Sequence, residues 1–173
     1  MLYDFSEMLH QHLIKQYDLQ PHPEGGWYKQ SYKSAEYISA AALPERFGGD
    51  RPFSTAIYFL LEKDNFSAFH RIKSDECWHF YSGGPLEIFV IQQNGELVTV
   101  ILGNDCSKGQ LFQYVVSAGC WFASRPAPGS DYCFVGCTVA PGFDFADFEL
   151  ANAEQLINKY PQHSTSIREL CRQ

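Results

Sequence analysis

The stretch that decides the fold is FSAFHRIKSDECWHFYSGGPLEIFVIQQNGELVTVIL, residues 66–102. Within it, LEIFVIQ (86–92) and ELVTVIL (96–102) flank the dipeptide Asn94-Gly95. This dipeptide supplies the positive φ angles that a tight β-hairpin needs. CWHFY (77–81) has the aromatic composition of a further strand. The stretch therefore predicts consecutive short strands joined by turns.

Outward from this stretch, further strands are predicted, and helices are predicted only at the two ends of the chain. The additional strands are expected at 27–33, 53–61, 111–116, around 120–123 and at 132–139. Helical spacing predicts a helix at about 4–17 and a C-terminal helical tail at about 151–173. Residues 35–52 contain several Pro and Gly and are interpreted as a mobile connection.

This pattern indicates an all-β protein of the β-sandwich or jelly-roll type, with short terminal helices. We expect one domain over residues 1–173, with the barrel at about 21–150. Because strands form the walls of such a fold, a ligand would lie in the barrel mouth and contact alternate inward side chains.

Composition excludes several classes of partner. The net charge is −7 and no run of Lys or Arg occurs, so neither a nucleic acid nor a membrane is an expected partner. The opening residues carry acids among apolar residues and predict neither a signal peptide nor a spanning helix, so we expect a cytoplasmic protein. The six cysteines lack the paired short spacing of a zinc site, which favours free thiols.

The candidate for chemistry is the segment from His70 to Gly83. It resembles the first motif of the cupin superfamily, in which two histidines flank one residue and are followed by a glutamate and then a glycine. His70, Glu76 and Gly83 match that motif, whereas Ile72 replaces the second histidine. The two-residue period of a strand places His70 and Ile72 on one face, and Glu76 is expected to face inward on the next strand.

The region of the second cupin motif retains no metal ligand. Phe122 stands about where its histidine would be, so only His70 and Glu76 remain as candidate ligands. Two ligands are too few for a firmly bound catalytic metal, so no cofactor is firmly implied, and a divalent metal at His70 and Glu76 would be weakly bound. His79 faces the opposite side of its strand from Glu76, and only a bulge would bring it to the same centre.

Several longer stretches resemble the cupin-5 family, which is related to the sugar-nucleotide epimerase branch of cupins. The matching stretches are PHPEGGWY (21–28), STAIYFLL (54–61), HRIKSDECWHFYSGGPLEIF (70–89), GQLFQYVVSAGCWFAS (109–124) and VGCTVAPGFDFADFEL (135–150). The resemblance implies a cupin-type jelly-roll barrel and a homodimer, and it assigns no activity.

The first hypothesis for function is a metal-independent isomerase or epimerase that acts on a small polar, sugar- or nucleotide-like ligand. In this hypothesis His70, oriented by Glu76, is the base, because a histidine paired with a carboxylate has a pKa suited to proton transfer near neutral pH. Tyr58 is the acid if it faces the pocket together with Ser54. The competing interpretation is that His70 and Glu76 are a hydrogen-bonded remnant of a lost metal site.

The second hypothesis is a binding module without catalysis, in which the barrel binds a small-molecule ligand through His70, Glu76, Gln113 and Trp78, with His79 and Ser54 as further candidate contacts. Core packing is favoured over ligand stacking for Trp78, and a core or interface position is favoured for His79. For Gln113 a hydrogen bond to a neighbouring loop is the open alternative. The third hypothesis is a metal-dependent cupin enzyme, which ranks last because ligands are missing.

The sequence leaves more than one role open for residues in two further segments, 21–28 and 139–150. Glu24, Asp144 and Asp147 could be pocket acids, although caps and loop hydrogen bonds are commoner uses of such residues. His22 is expected to be exposed, like the other histidines outside the segment His70 to Gly83. The strand at 27–33 is expected to pair across a dimer interface, because exposed edges of open barrels are usually covered.

Overall fold

The computed structural model describes residues 5–172, and it describes side chains from residue 9 onward. Helix α1 spans Phe5–Gln16, α2 spans Ala153–Lys159 and α3 spans Ser164–Glu169. Residues 4 and 173, at the limits of the predicted helical ends, lie outside the described residues.

Thirteen strands are present in the described part of the chain. They are β1 (Gln20–Pro21), β2 (Trp27–Lys33), β3 (Tyr37–Ile38), β4 (Arg51–Pro52), β5 (Thr55–Glu62), β6 (Ser67–Arg71), β7 (Asp75–Gly83), β8 (Leu86–Ile91), β9 (Leu97–Leu102), β10 (Gln113–Val116), β11 (Trp121–Pro126), β12 (Tyr132–Ala140) and β13 (Glu149–Leu150). The hairpin predicted around Asn94-Gly95 is confirmed, because β8 and β9 pair in register from Leu86↔Leu102 to Ile91↔Leu97. The segment 35–52, for which the sequence predicts a mobile connection, contains β3 and β4, and these two short strands pair with each other.

The strands form a jelly-roll barrel of two facing antiparallel sheets. One sheet has the order β1-β2-β5-β12-β7-β10, and the other has the order β13-β6-β11-β8-β9. Between them lies the main apolar core, to which β5, β8, β11 and β12 contribute large buried side chains such as Phe59, Ile88 and Phe122. Burying a side chain of this size stabilises the fold by about 1.5–3 kcal/mol.

Helices cover the outer faces of both sheets. Leu13 and Ile14 of α1 pack against Leu60 and Phe134 of the first sheet. Leu156 of α2 and Ile167 of α3 join a second cluster on the outer face of the other sheet. None of the helices in the described part of the chain has the length and apolarity needed to cross a membrane.

The barrel interior is divided along its length. The main core includes Phe59 and Leu61, which lie toward the end of β5, whereas Thr55 and Ile57 at the start of β5 line a cavity. One end of the barrel is therefore filled with apolar side chains, and the other end is open to a ligand.

Candidate functional site

The open end of the barrel contains a cavity of about 220 Å³, which we call the mouth cavity. Its wall combines apolar residues with six polar ones: His22, Glu24, Gln30, Thr55, His70 and Glu76. Among the described residues that line it, none is a lysine or an arginine. The mouth cavity is thus a site of buried acid–base groups without a fixed cation.

His70 on β6 is hydrogen-bonded through both ring nitrogens. Its Nδ1 lies 2.7 Å from the carbonyl oxygen of Ala68, and its Nε2 lies 3.0 Å from Oε2 of Glu24. A carbonyl can only accept, so Nδ1 carries a proton, and in the neutral ring Nε2 is an acceptor. The hydrogen-bond network therefore assigns the tautomer.

The His70–Glu24 pair is neutral, with the proton on the carboxyl group. Burial lowers the pKa of His70 to about 3. Burial, and next the charge of Glu76, raise the pKa of Glu24 well above its usual value of 4.5. Glu24 is therefore a carboxylic acid that donates to Nε2 of His70, rather than one half of an ion pair.

Glu76 lies on the inner face of β7, where its neighbours across the ladders are Val139 of β12 and Val116 of β10. Burial raises its pKa to about 7, and a hydrogen bond with the Cys137 thiol partly opposes this shift. At neutral pH this carboxyl group is therefore present in both protonation states. Cys137 itself is protonated, because burial raises the pKa of its thiol well above the usual 9.0.

The segment PHPEGGWY (21–28) contains two of the polar side chains of the site, His22 and Glu24. Gly25 and Gly26 have φ angles of 114° and 78°, a region that favours glycine, and they turn the chain immediately after Glu24. A Cβ atom on Gly25 would lie 2.1 Å from the carbonyl oxygen of Phe66, so the two backbones approach closely. This turn is what allows Glu24 to enter the barrel.

His22 belongs to the site, and the expectation that it is exposed is wrong. Its Nδ1 accepts a hydrogen bond from the backbone N–H of Glu24 at 3.3 Å, and its ring meets Tyr28 edge-on at 4.5 Å. Burial lowers the pKa of His22 to about 4, so the ring is neutral at pH 7. No strand periodicity extends through 21–26, which is why spacing could not place His22 or Glu24 in the barrel.

Three phenylalanines form one side of the mouth. Phe143, Phe145 and Phe148 contact one another at ring-centroid distances of 5.0–6.4 Å, and the Phe148 ring lies 5.4 Å from that of His70. Phe145 is 53% exposed. These rings offer an apolar surface beside the acid–base groups.

A buried ion pair holds this aromatic segment in place. Arg51 donates two hydrogen bonds to Asp147, from Nε to Oδ2 at 2.6 Å and from Nη2 to Oδ1 at 2.7 Å. Asp144 accepts from the N–H of Ala146 and caps the short helical turn. Neither aspartate lines the mouth cavity; both act as anchors for the segment.

Of the residues predicted to act in catalysis, His70 and Glu76 line the mouth cavity, and Tyr58 does not. Within β5 the inward positions are Thr55, Ile57 and Phe59, so Tyr58 faces outward, where its ring contacts Tyr17 and stacks with Phe134. The condition under which Tyr58 would be the acid is therefore not met. The predicted hydrogen-bonded partner of His70 is also wrong, since Glu24 rather than Glu76 contacts its ring.

The four residues expected to contact a ligand lie elsewhere. Ser54 donates to the carbonyl oxygen of Val139. Trp78 is 1% exposed and packs edge-on to Phe59 and Phe122, so its core interpretation is confirmed. His79 and Gln113 hydrogen-bond each other at 2.9 Å in a separate shallow pocket, and Thr138 contacts the other ring nitrogen of His79.

The residues of the mouth cavity do not fit a resident metal ion. Over residues 5–172 no three His, Cys, Asp or Glu side chains are grouped so as to ligate one. Both ring nitrogens of His70 already have partners, and the Nδ1 of His22 accepts a backbone N–H. A metal bound by His70 and Glu76 would have to break the His70–Glu24 hydrogen bond.

The two-sheet barrel with a polar mouth defines a protein of the cupin class. The chain belongs to the cupin-5 family: the family profile, described as Cupin superfamily (DUF985), matches residues 11–151. It is 29% identical over 154 residues to the uncharacterized protein YML079W of Saccharomyces cerevisiae, covering 83% of this chain and 76% of that protein.

Solved structures show the same architecture. A hypothetical protein from Leishmania major superimposes with a TM-score of 0.87 at 34% identity, covering 94% of this chain and 98% of the other. Protein SO0799 from Shewanella oneidensis gives 0.84 at 39% identity, with 94% and 96% covered. Oxalate decarboxylase from Bacillus subtilis gives 0.54 at 11% identity, covering 88% of this chain and 37% of that protein, and this likeness concerns the fold alone.

Proposed function

We propose that this protein binds a small polar ligand in the mouth cavity and acts on it as a metal-independent isomerase or epimerase. The observation that carries the proposal is the neutral His70–Glu24 pair beside the titratable Glu76, all three within one buried cavity. Buried titratable groups that shift one another's pKa values are typical of sites that transfer protons.

The three groups provide one base and one acid at the same pH. Glu76, with a pKa raised to about 7, is partly ionised at neutral pH and can take a proton from a carbon next to a carbonyl group. The protonated Glu24 can give its proton to the same carbon of the resulting enolate from another direction, with His70 orienting its carboxyl group. In an epimerisation the ligand thus loses one proton to Glu76 and gains one from Glu24, and the configuration of that carbon changes; an isomerisation also transfers a proton between the carbonyl and hydroxyl oxygens of the ligand.

The lining of the mouth cavity favours an uncharged reacting group. The polar side chains around it are neutral at pH 7 except for the ionised fraction of Glu76, and no lysine or arginine is among the described lining residues. An anion placed beside Glu76 would be repelled without compensation. A hydroxylated aldehyde or ketone, as found in sugars, fits this chemistry.

The test is proton exchange from solvent. Hydroxyaldehydes and hydroxyketones are incubated with the protein in D₂O, and proton NMR follows the loss of the signal next to the carbonyl group. We expect exchange with the wild type and a decrease of about a hundredfold in Glu24→Gln and in Glu76→Gln. The glutamine at position 24 can still donate to His70, so this variant keeps the local structure.

Glu62→Gln is the matched control, because Glu62 accepts a hydrogen bond from Trp27 on the outer side of β5 and does not line the mouth cavity. Its exchange rate should equal that of the wild type. Exchange that is unchanged in Glu24→Gln and Glu76→Gln would contradict the assigned roles.

A binding module without catalysis is the second candidate, and the exposed ring of Phe145 is the observation that favours it. Phe143, Phe145 and Phe148 present aromatic surface on which a sugar ring or a base can stack. Ligand binding that is lost in Phe145→Ala, with no proton exchange by the wild type, would favour this candidate over an isomerase.

A homodimer that uses the edge of β2 is proposed as well. Strand β1 pairs only with Trp27 and Tyr28, and it leaves the rest of that edge without a strand partner. Tyr32 on this edge is 54% exposed. We expect a dimer in light scattering at micromolar concentration and a monomer for Tyr32→Glu, whereas a monomeric wild type would contradict the proposal.

A further inference from the structure

A second cavity adjoins the mouth cavity and differs from it in charge. It is a cleft lined by Arg46, by Arg71 at the end of β6, and by Lys73 in the turn before β7. Ile72 and Phe148 line both this cleft and the mouth cavity. We call this second cavity the basic cleft. It adjoins the mouth cavity at Ile72 and Phe148.

The described lining of the basic cleft contains three cations, Arg46, Arg71 and Lys73, and two acids. Its own acids are Asp147 and Glu149. Asp147 is bound in bidentate fashion by the buried Arg51, and Glu149 lies 2.7 Å from Arg71. Among the described residues Arg46 forms no ion pair, and Lys73 shares Asp147 with Arg51, so these two cations are less fully paired than Arg71, in a chain whose net charge is −7.

Contacts hold the cationic groups in place. Nε of Arg46 donates to the carbonyl oxygen of Lys73 at 2.8 Å, and its guanidinium lies over the ring of Phe47 at 4.9 Å. Nζ of Lys73 lies 3.4 Å from Oδ1 of Asp147. The guanidinium of Arg71 lies 4.6 Å from the centroid of Trp121. Because these groups are already positioned, an anion that binds them has little side-chain freedom to remove.

We propose that the basic cleft binds the phosphoryl group of a ligand whose uncharged, hydroxylated carbonyl part enters the mouth cavity. This inference rests on the proposed function and narrows the substrate class to phosphate esters of sugar-like compounds. A phosphate monoester carries about −1.5 to −2 at pH 7 and three acceptor oxygens, which suits a site with two cations that are not fully paired. A monocarboxylate carries only one negative charge.

In this proposal the two cavities bind chemically different parts of the same ligand. The phosphoryl oxygens accept hydrogen bonds from Arg46 and Lys73, which are charge-assisted and stronger than bonds between neutral groups. The carbonyl part lies past Phe148, next to the uncharged His70–Glu24 pair. The anion is kept away from Glu76, where a negative charge would be repelled.

The test uses isothermal titration calorimetry of the full chain with inorganic phosphate, glucose 6-phosphate and acetate. We expect the wild type to bind both phosphates and to bind acetate, which carries a single negative charge, at least tenfold more weakly. Lys73→Met and Arg46→Met should each raise the dissociation constant for inorganic phosphate about tenfold, since one charge-assisted contact is lost. Methionine keeps the apolar stem of each side chain.

Lys108→Met removes an equal charge at a side chain that is 74% exposed and lies outside the basic cleft, and it should bind phosphate like the wild type. Absence of phosphate binding by the wild type at millimolar concentration would overturn the proposal, as would equal binding by Lys73→Met. Acetate binding as tight as phosphate would overturn the phosphoryl assignment.

The outcomes for the two proposals are separable. Glu24→Gln should leave the binding of inorganic phosphate unchanged, because Glu24 lies in the mouth cavity and not in the basic cleft. Phosphate binding without proton exchange would contradict only the isomerase proposal. Exchange on uncharged hydroxyketones without phosphate binding would contradict only the assignment of the basic cleft.

Discussion

Replacement of Arg51 by methionine is expected to lower the free energy of unfolding by about 3–5 kcal/mol. Arg51 and Asp147 are only 4% and 6% exposed, and the guanidinium satisfies both carboxylate oxygens. Without Arg51, Asp147 keeps its charge in a buried position, and its remaining ion-pair partner among the described residues is Lys73, at 3.4 Å from Oδ1. Urea unfolding at pH 7, followed by tryptophan fluorescence, measures the change.

Arg71→Met provides the comparison for this prediction. Arg71 also pairs with a glutamate of the same region, but the two side chains are 38% and 54% exposed. Exposed pairs contribute little, so this variant should lose less than about 1 kcal/mol. The double variant Arg51→Met/Asp147→Leu should recover most of the loss, because no charge is then left buried alone. Equal losses in Arg51→Met and Arg71→Met would contradict the structural account.

The second large effect concerns Glu76 and pH. Its pKa in the folded protein is about 7, above the ordinary value of 4.5, so the folded state binds this proton more tightly than the unfolded state. As the pH rises between these two values, Glu76 loses its proton more readily in the unfolded state than in the folded state, so the free energy of unfolding falls. One pKa unit corresponds to about 1.4 kcal/mol, so the full contribution is about 3 kcal/mol.

Glu76→Gln should abolish this contribution, because glutamine is neutral at every pH. The free energy of unfolding of the variant, minus that of the wild type, should therefore rise by about 3 kcal/mol between pH 4.5 and pH 8. His22 and His70 oppose the trend below pH 6.5, since burial lowers their pKa values, but they contribute to both proteins and cancel in the difference. Glu24 acts in the same direction as Glu76, because burial and the charge of Glu76 raise its pKa; the part due to burial cancels, and the part due to Glu76 adds to the difference.

Urea titrations at several pH values measure this difference, and Glu36→Gln is the control, since it removes an exposed carboxylate far from the barrel interior. A difference between Glu76→Gln and the wild type that stays constant with pH would show that burial does not perturb this carboxyl group.

Local patterns predicted the parts of the fold that depend on local chemistry. The Asn94-Gly95 dipeptide predicted the hairpin of β8 and β9, and alternation along β7 placed Glu76 and Trp78 inward and His79 on the other face. Strand β5 is different, because its sequence is apolar on both faces. Alternation of apolar and polar residues therefore does not predict which face of β5 points inward, and that orientation is set by the pairing of β5 with β2 and β12. Tyr58 was misplaced for this reason.

The site was only half predictable because its groups come from distant segments. His70 and Glu76 belong to one motif and could be found by spacing. Glu24 meets His70 from a loop that has no periodic pattern, and Arg51 meets Asp147 across 96 residues of sequence. Such contacts depend on the closure of the barrel, and one sequence without its relatives carries no signal for them.

The division of the barrel into a filled end and an open end has a consequence for how such a protein can change. Side chains at the filled end hold the two sheets together, so substitutions there act mainly on stability. Side chains at the open end pack less completely, and the aromatic segment beside them is anchored separately by Arg51. A few replacements at the mouth can therefore change which ligand is bound while the rest of the barrel stays intact. Substitutions that change ligand specificity are thus expected at the open end, and the filled end is expected to tolerate few substitutions.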